Sequence, residues 1–285
     1  MYNFRYHIAS LVAVFLALAF GLLLGTIIVQ NGALKGGFTT QIEGLTQQFN
    51  QIRSESATIK KSNGSLTAFA GQAAPRLVDG ALANRLILVL ASPDNADTAA
   101  SVTDDVKAAG GTTAIATFTG VGLSLGDDAV AAAAAKALGL PAGSVDETAV
   151  VSALAREWST PSDGRVLTKA LVASGALKVT GLAAGATVDG VVVCDTFDGK
   201  PDPAAFHLAT ALAGNARPAL GVETTKRSDG TAEAAKAAGL AGVDDVDTPL
   251  GEVSLVWVLA GRASGLYGQG DSVEGPFPTP LFPAP

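Results

Sequence analysis

The side chains best suited to chemistry in this sequence are few and far apart. Cys194, its one cysteine, could serve as a nucleophile or a soft metal ligand. It closes the apolar run Asp189-Gly-Val-Val-Val-Cys194, where a free cysteine packs like a small hydrophobe. His7 and His207 stand 200 residues apart, and neither has a partner at ligand spacing. The acidic run Asp244-Asp245-Val-Asp247 could hold a hard cation. It lacks the spacing and the glycine of a calcium loop and reads as a solvated turn. Ser92, Asp94, Asp195, Thr196 and Asp198 follow two strand-like runs and would lie at the carboxyl ends of a parallel sheet, where ligands bind. Such loops are polar in any case. The first of them, Ala-Ser-Pro-Asp-Asn, carries no GxGxxG, and there is no Walker loop. No Ser/His/Asp or Cys/His arrangement can be assembled from the spacing. We therefore expect no catalysis, no bound metal and no cofactor.

Composition narrows the class further. The chain has 285 residues, which suits a stalk plus one α/β domain. Its net charge is −7 with 16% charged residues, and lysine and arginine do not cluster. That argues against nucleic acid as a partner and against a polybasic lipid-binding patch. One cysteine excludes an intrachain disulfide and a cysteine-built zinc site.

Positioning begins with the N-terminus. Ile8 to Val29 is twenty-two residues without a charge. At ~1.5 Å per helical residue this run spans about 33 Å, enough to cross a hydrocarbon core. A cleaved signal peptide has a shorter apolar region followed by a small-x-small exit. Here Ala17-Leu-Ala19 sits in the middle of the run and Gln-Asn-Gly-Ala-Leu-Lys follows it. The reading is an uncleaved anchor in membrane lipid at residues 8–29. Arg5 before the helix puts residues 1–7 in the cytoplasm and the bulk outside it.

Within that anchor, Ala13, Ala17, Gly21 and Gly25 recur every four residues on one helix face. Gly21-Leu-Leu-Leu-Gly25 is a GxxxG, a pattern that lets two membrane helices approach closely. Residues 30–37 (QNGALKGG) read as a flexible joint. From 38 to 77 the apolar residues fall at heptad spacing: Phe38, Ile42, Leu45, Phe49, Ile52, Ile59, Leu66, Ala70, Ala73 and Leu77, with Ser56 and Asn63 in the remaining slots. This pattern predicts a coiled coil in a parallel homodimer, both copies starting from one membrane plane. Its core is Ile42, Leu45, Phe49, Ile52, Ile59, Asn63 and Leu66, and a buried Asn63 would set the register.

Residues 84–270 read as an α/β domain with an open, mostly parallel sheet flanked by helices. Strands are predicted at Arg85–Ala91, Thr112–Thr119, Asp189–Cys194, Pro218–Val222 and Gly242-Val243. Helices are predicted at 95–109, Ala129–Leu138, Glu147–Trp158, Gly164–Ser174, Ala204–Ala213, Thr231–Ala238 and Gly251–Arg262. Residues 271–285 hold five prolines without periodicity and read as a disordered tail.

The opening Phe4-Arg-Tyr-His-Ile-Ala-Ser-Leu-Val-Ala-Val-Phe-Leu-Ala-Leu-Ala-Phe-Gly-Leu-Leu-Leu-Gly25 resembles the N-terminus of an actinobacterial family. That family is named after mycobacterial copper transport protein B (MctB) and includes the corynebacterial relative SteB. Val243-Asp-Asp-Val-Asp-Thr-Pro-Leu-Gly251 and Gly265-Leu-Tyr-Gly268 look like its C-terminal signatures, with Asp244, Asp245, Asp247, Gly265, Tyr267 and Gly268 as the carried-over positions. The resemblance implies two roles. One is copper efflux through an envelope pore. The other is a dimeric membrane scaffold, working with a cytoplasmic partner of SteA type and with septal peptidoglycan hydrolysis in cell separation. Copper(I) favours Cys and Met ligands, and this chain offers only Met1 and Cys194. A barrel pore needs at least about eight strands of alternating residues, for which the alanine-rich helices leave no room. The scaffold role is therefore preferred.

Overall fold

A computed structural model describes residues 4–30, 33–141, 143–194, 196–197, 199–226 and 229–279. The chain divides into two units, Met1–Leu66 and Thr67–Pro285. The first holds helix α1 (Phe4–Gln30) and most of helix α2 (Ala33–Val78). α1 contains a stretch, Tyr6–Ile27, long and apolar enough to cross a membrane, with none of its surface buried against protein. α2 is continuous from Ala33, so Ala33–Gly37 is helical rather than the expected joint, and residues 31–32 lie outside the described residues. Pro75 sits within the last turns of α2, and the helix ends three residues beyond it.

The second unit is built on a seven-stranded sheet. Its strands are β1 (Leu86–Ala91), β2 (Thr112–Phe118), β3 (Leu177–Thr180), β4 (Gly190–Cys194), β7 (Ala219–Val222), β8 (Ala241–Val243) and β9 (Leu266–Tyr267). A separate hairpin pairs β5 (Thr196–Phe197) with β6 (Lys200–Pro201). The sheet order is β3-β2-β1-β4-β7-β8-β9, parallel throughout except for β3, which runs antiparallel to β2. The helices are α3 (Ala96–Ala108), α4 (Asp128–Leu138), α5 (Glu147–Ser159), α6 (Val166–Ala173), α7 (Pro203–Ala213), α8 (Thr231–Ala237) and α9 (Pro249–Leu259). The chain leaves β1 toward β2 on one side and returns to β4 on the other. The topological switch point lies between β1 and β4.

Central strands covered on both faces must be apolar at every position, which is why β1 and β4 read as unbroken runs. Leu88, Leu90, Val191 and Val193 point into a core shared with Val150, Leu154, Trp158, Leu171 and Leu208 of α5, α6 and α7. Ile87, Val89, Val192 and Cys194 point the other way, against Val102 and Val106 of α3, Val256 of α9, and Ala74 and Val78 of α2. Acidic residues hold the helices in place. Asp127, Asp146 and Asp202 cap α4, α5 and α7, and Thr248 caps α9 ahead of Pro249. Glu157 caps α6 from the neighbouring helix, accepting from Leu167 N at 2.7 Å and Thr168 N at 3.1 Å.

Two further expectations change. Strands β3 and β9 and the β5–β6 hairpin are additions. They are two to four residues long, too short to carry a period. The tail is ordered through residue 279. Glu274 N donates to Leu266 O at 2.8 Å, and Gly268 N donates to Gly275 O at 3.0 Å, so residues 271–279 cover the edge of β9. Pro278 is buried there, and residues 280–285 lie outside the described residues.

Candidate functional site

The two C-terminal signatures, about twenty residues apart in sequence, meet at the edge of the sheet. Parallel pairing sets Gly242 opposite Leu266 and Val243 opposite Tyr267. Asp244 N then donates to Tyr267 O at 3.0 Å, which delivers the three acidic side chains to the loops around the carboxyl ends of β7, β8 and β9. Each clamps a different piece of chain. Asp244 accepts from Gln269 N and Gly270 N, both at 2.8 Å. Asp247 accepts from Thr225 N and Thr225 Oγ1, both at 2.7 Å. Asp245 accepts from Thr248 Oγ1 at 3.1 Å and Gln269 Nε2 at 3.2 Å.

This corrects the reading of a solvated turn, because Asp245 is only 1% exposed. Burial pushes its carboxyl upward; the Gln269 and Thr248 hydrogen bonds oppose that shift, and the neighbouring Asp244 and Asp247 add to it. Its Oδ1 is buried without a partner. Asp244 and Asp247 thus serve as acceptors that tie neighbouring loops to the end of β8. A cleft of about 110 Å³ among Glu223, Glu233, Asp244 and Gly270 is well below the volume of a small-molecule pocket. Gly265 and Gly268 both adopt positive φ, and Tyr267 donates its hydroxyl to Ser264 O at 2.7 Å.

At the switch point two hydrogen bonds tie the loop after β1 to the end of β4 and the start of β5. Asn95, 2% exposed, donates through Nδ2 to Cys194 O at 2.5 Å, and Thr196 N reaches Ser92 Oγ at 3.5 Å. Cys194 is fully buried, with Sγ 3.4 Å from Leu90 O. Asp94 is exposed, whereas Asp195 and Asp198 lie outside the described residues. Alongside, an alanine-lined groove of about 390 Å³ runs between α3 and β2. Its hydroxyl at Thr103 is spent on Ala99 O and its Lys107 on Asp104. His207, expected to stand alone, places Nδ1 2.6 Å from Glu147 Oε1 on the surface between α7 and α5. Only the packing of those helices makes that pair. Among the described residues, no three His, Cys, Asp or Glu side chains gather as a metal cage.

The other predicted positions lie in the first unit. Ala17, Gly21 and Gly25 line one shallow groove along α1. Ile42, Leu45, Phe49, Ile52, Ile59 and Leu66 are each between 59% and 67% exposed on α2, and Asn63 is exposed among them.

A helix long and apolar enough to cross a membrane, a long helix with an exposed apolar stripe and a doubly wound α/β unit fit the class of membrane-associated envelope proteins. The model of the family described as copper transport outer membrane protein, MctB, matches residues 1–278, and the chain belongs to that family. Searches of curated proteins and of solved structures find no match.

Proposed function

We propose that this chain is a non-catalytic envelope scaffold that works as a parallel homodimer, anchored by α1 with its bulk outside the cytoplasm. In this reading it supports cell separation, acting with a cytoplasmic partner of SteA type and with the septal peptidoglycan hydrolases. The observation that carries the proposal is the stripe on α2. Six large apolar side chains at heptad spacing lie in the open, and a stripe of that period is buried by a second helix of the same kind. The role of the dimer is then to present a rigid surface. No nucleophile with a base at hand is found among the described side chains at the switch point or at the acidic edge.

The second reading, copper transport, is favoured by the family description itself. Against it stands the ligand set, since Cys194 is buried in the core and the sequence's other soft donor is Met1. A deletion strain complemented in parallel with wild type, with the double variant Leu45→Asp/Ile52→Asp and with Cys194→Ser separates the two. The scaffold reading expects chained cells from the coil variant and normal separation from Cys194→Ser. Tight copper binding lost on Cys194→Ser, or a deletion that accumulates copper while separating normally, would overturn it.

A further inference from the structure

Asp105 lies on α3 where that helix meets α9. Val102 and Val106 beside it are buried in one core with Val253 and Val256 of α9 and with Ala74 and Val78 at the root of α2. The same root touches the start of α9, with Gly71 close to Pro249. On the same stretch of α3 the Oδ2 atom of Asp105 is buried and, among the described residues, has no hydrogen-bond partner. A carboxylate in that position is costly unless it is paired or holds a proton.

Among the described residues no cation pairs with it. The charges that act on Asp105 are Glu252 in the first turn of α9 and Asp104 on its own helix, both negative. Lys107 turns to Asp104 at 3.9 Å on the surface. Asp97 sits two turns away, in the first turn of α3. Arg76 and Asp79, at the end of α2, are exposed. Arg85 donates to Leu259 O at the far end of α9, and Arg262 lies over the Trp257 ring. Burial pushes the Asp105 carboxyl up to about 8, with Glu252 and Asp104 adding to the shift, and burial also raises Glu252.

We propose that Asp105 and Glu252 form a proton-holding latch between α3 and α9 that seats the root of α2, residues 67–78. With a proton on the pair, the helices close without like-charge repulsion. When that proton leaves to solvent, a second negative charge joins that of Glu252 in a contact with no counter-charge among the described residues, and the root of α2 loosens. The latch thus links the base of the long helix to the pH around it.

Hydrogen exchange on the full chain in detergent micelles tests this, with rates corrected for intrinsic base catalysis. Protection of residues 67–78 and of the first turn of α9 should fall as pH rises from about 5 to 8. One linked proton allows up to about tenfold per pH unit, levelling off above the upper value. Helix α4, on the opposite face of the sheet, should not follow. Asp105→Asn should flatten the dependence, and Glu252→Gln should weaken it even if Asp105→Asn does not fold. An unchanged slope in the variants that fold, or α4 losing protection in step with the α2 root, would overturn the latch.

Discussion

Asp244 holds the loop beyond β9 with both oxygens of one carboxylate, and Gly268 faces that carboxylate with no room for a side chain. A Cβ at position 268 would fall on Asp244 Oδ1, and the backbone there sits at φ +136°. Two signature positions separated by twenty-three residues thus make one joint. The acid supplies the acceptors and the glycine supplies the clearance.

Gly268→Ala should therefore unsettle the second unit through both strain and overlap. We expect a loss of roughly 1–3 kcal/mol, or about 2–4 °C in Tm for each kcal/mol at this size. Asp244→Ala should cost a similar amount, because the hydrogen bonds from two backbone amides are lost together. Thermal unfolding of the solubilised protein measures both. A Gly268→Ala protein as stable as wild type would mean that the joint is dispensable.

The α2 stripe makes a separate prediction. Leu45→Asp with Ile52→Asp should convert residues 36–285 from dimer to monomer in sedimentation. The Tm of the α/β unit should stay unchanged, since both side chains are already about two-thirds exposed. A wild-type protein that is monomeric at high micromolar concentration would refute the coil.

Stability should decline toward alkaline pH. Asp105 titrates near 3.8 when unfolded and is pushed up to about 8 when folded, so the folded state binds more protons between those values. Stability then falls as pH rises through that window, and the buried Asp245 and Glu252, also raised, act in the same direction. We expect a Tm higher at pH 5 than at pH 8 by roughly 4 °C or more, with a smaller difference in Asp105→Asn. Scanning calorimetry across that range checks it, and a Tm that climbs with pH contradicts it.

Topology is testable in cells. If α1 is an anchor with a cytoplasmic N-terminus, protease added outside intact spheroplasts should digest the chain beyond about residue 30. A fully protected α/β unit would place the bulk on the other side.

Some of this protein was legible in its residues alone, because the signals are local. The uncharged stretch of α1, the heptad stripe of α2 and the unbroken apolar runs of β1 and β4 each follow from one segment meeting one solvent or being covered on both faces. The Asp-capped starts of α4 and α5 are local in the same way. The antiparallel edge strand β3, the two-residue β9 and the ordered strap over it were decided only by tertiary structure. They are too short for a period and exist because a distant partner lies beside them. The same holds for the site. That Asp244 and Asp247 clamp loops, and that Asp245 is buried beside them, depends on amides of Thr225, Gln269 and Gly270 brought in by sheet pairing. That the Asp105 carboxyl is buried depends on α3 and α9 covering the same face of the sheet. Sequence spacing carries the periodicity of an element, whereas the partner of a carboxylate is set by which elements pack together.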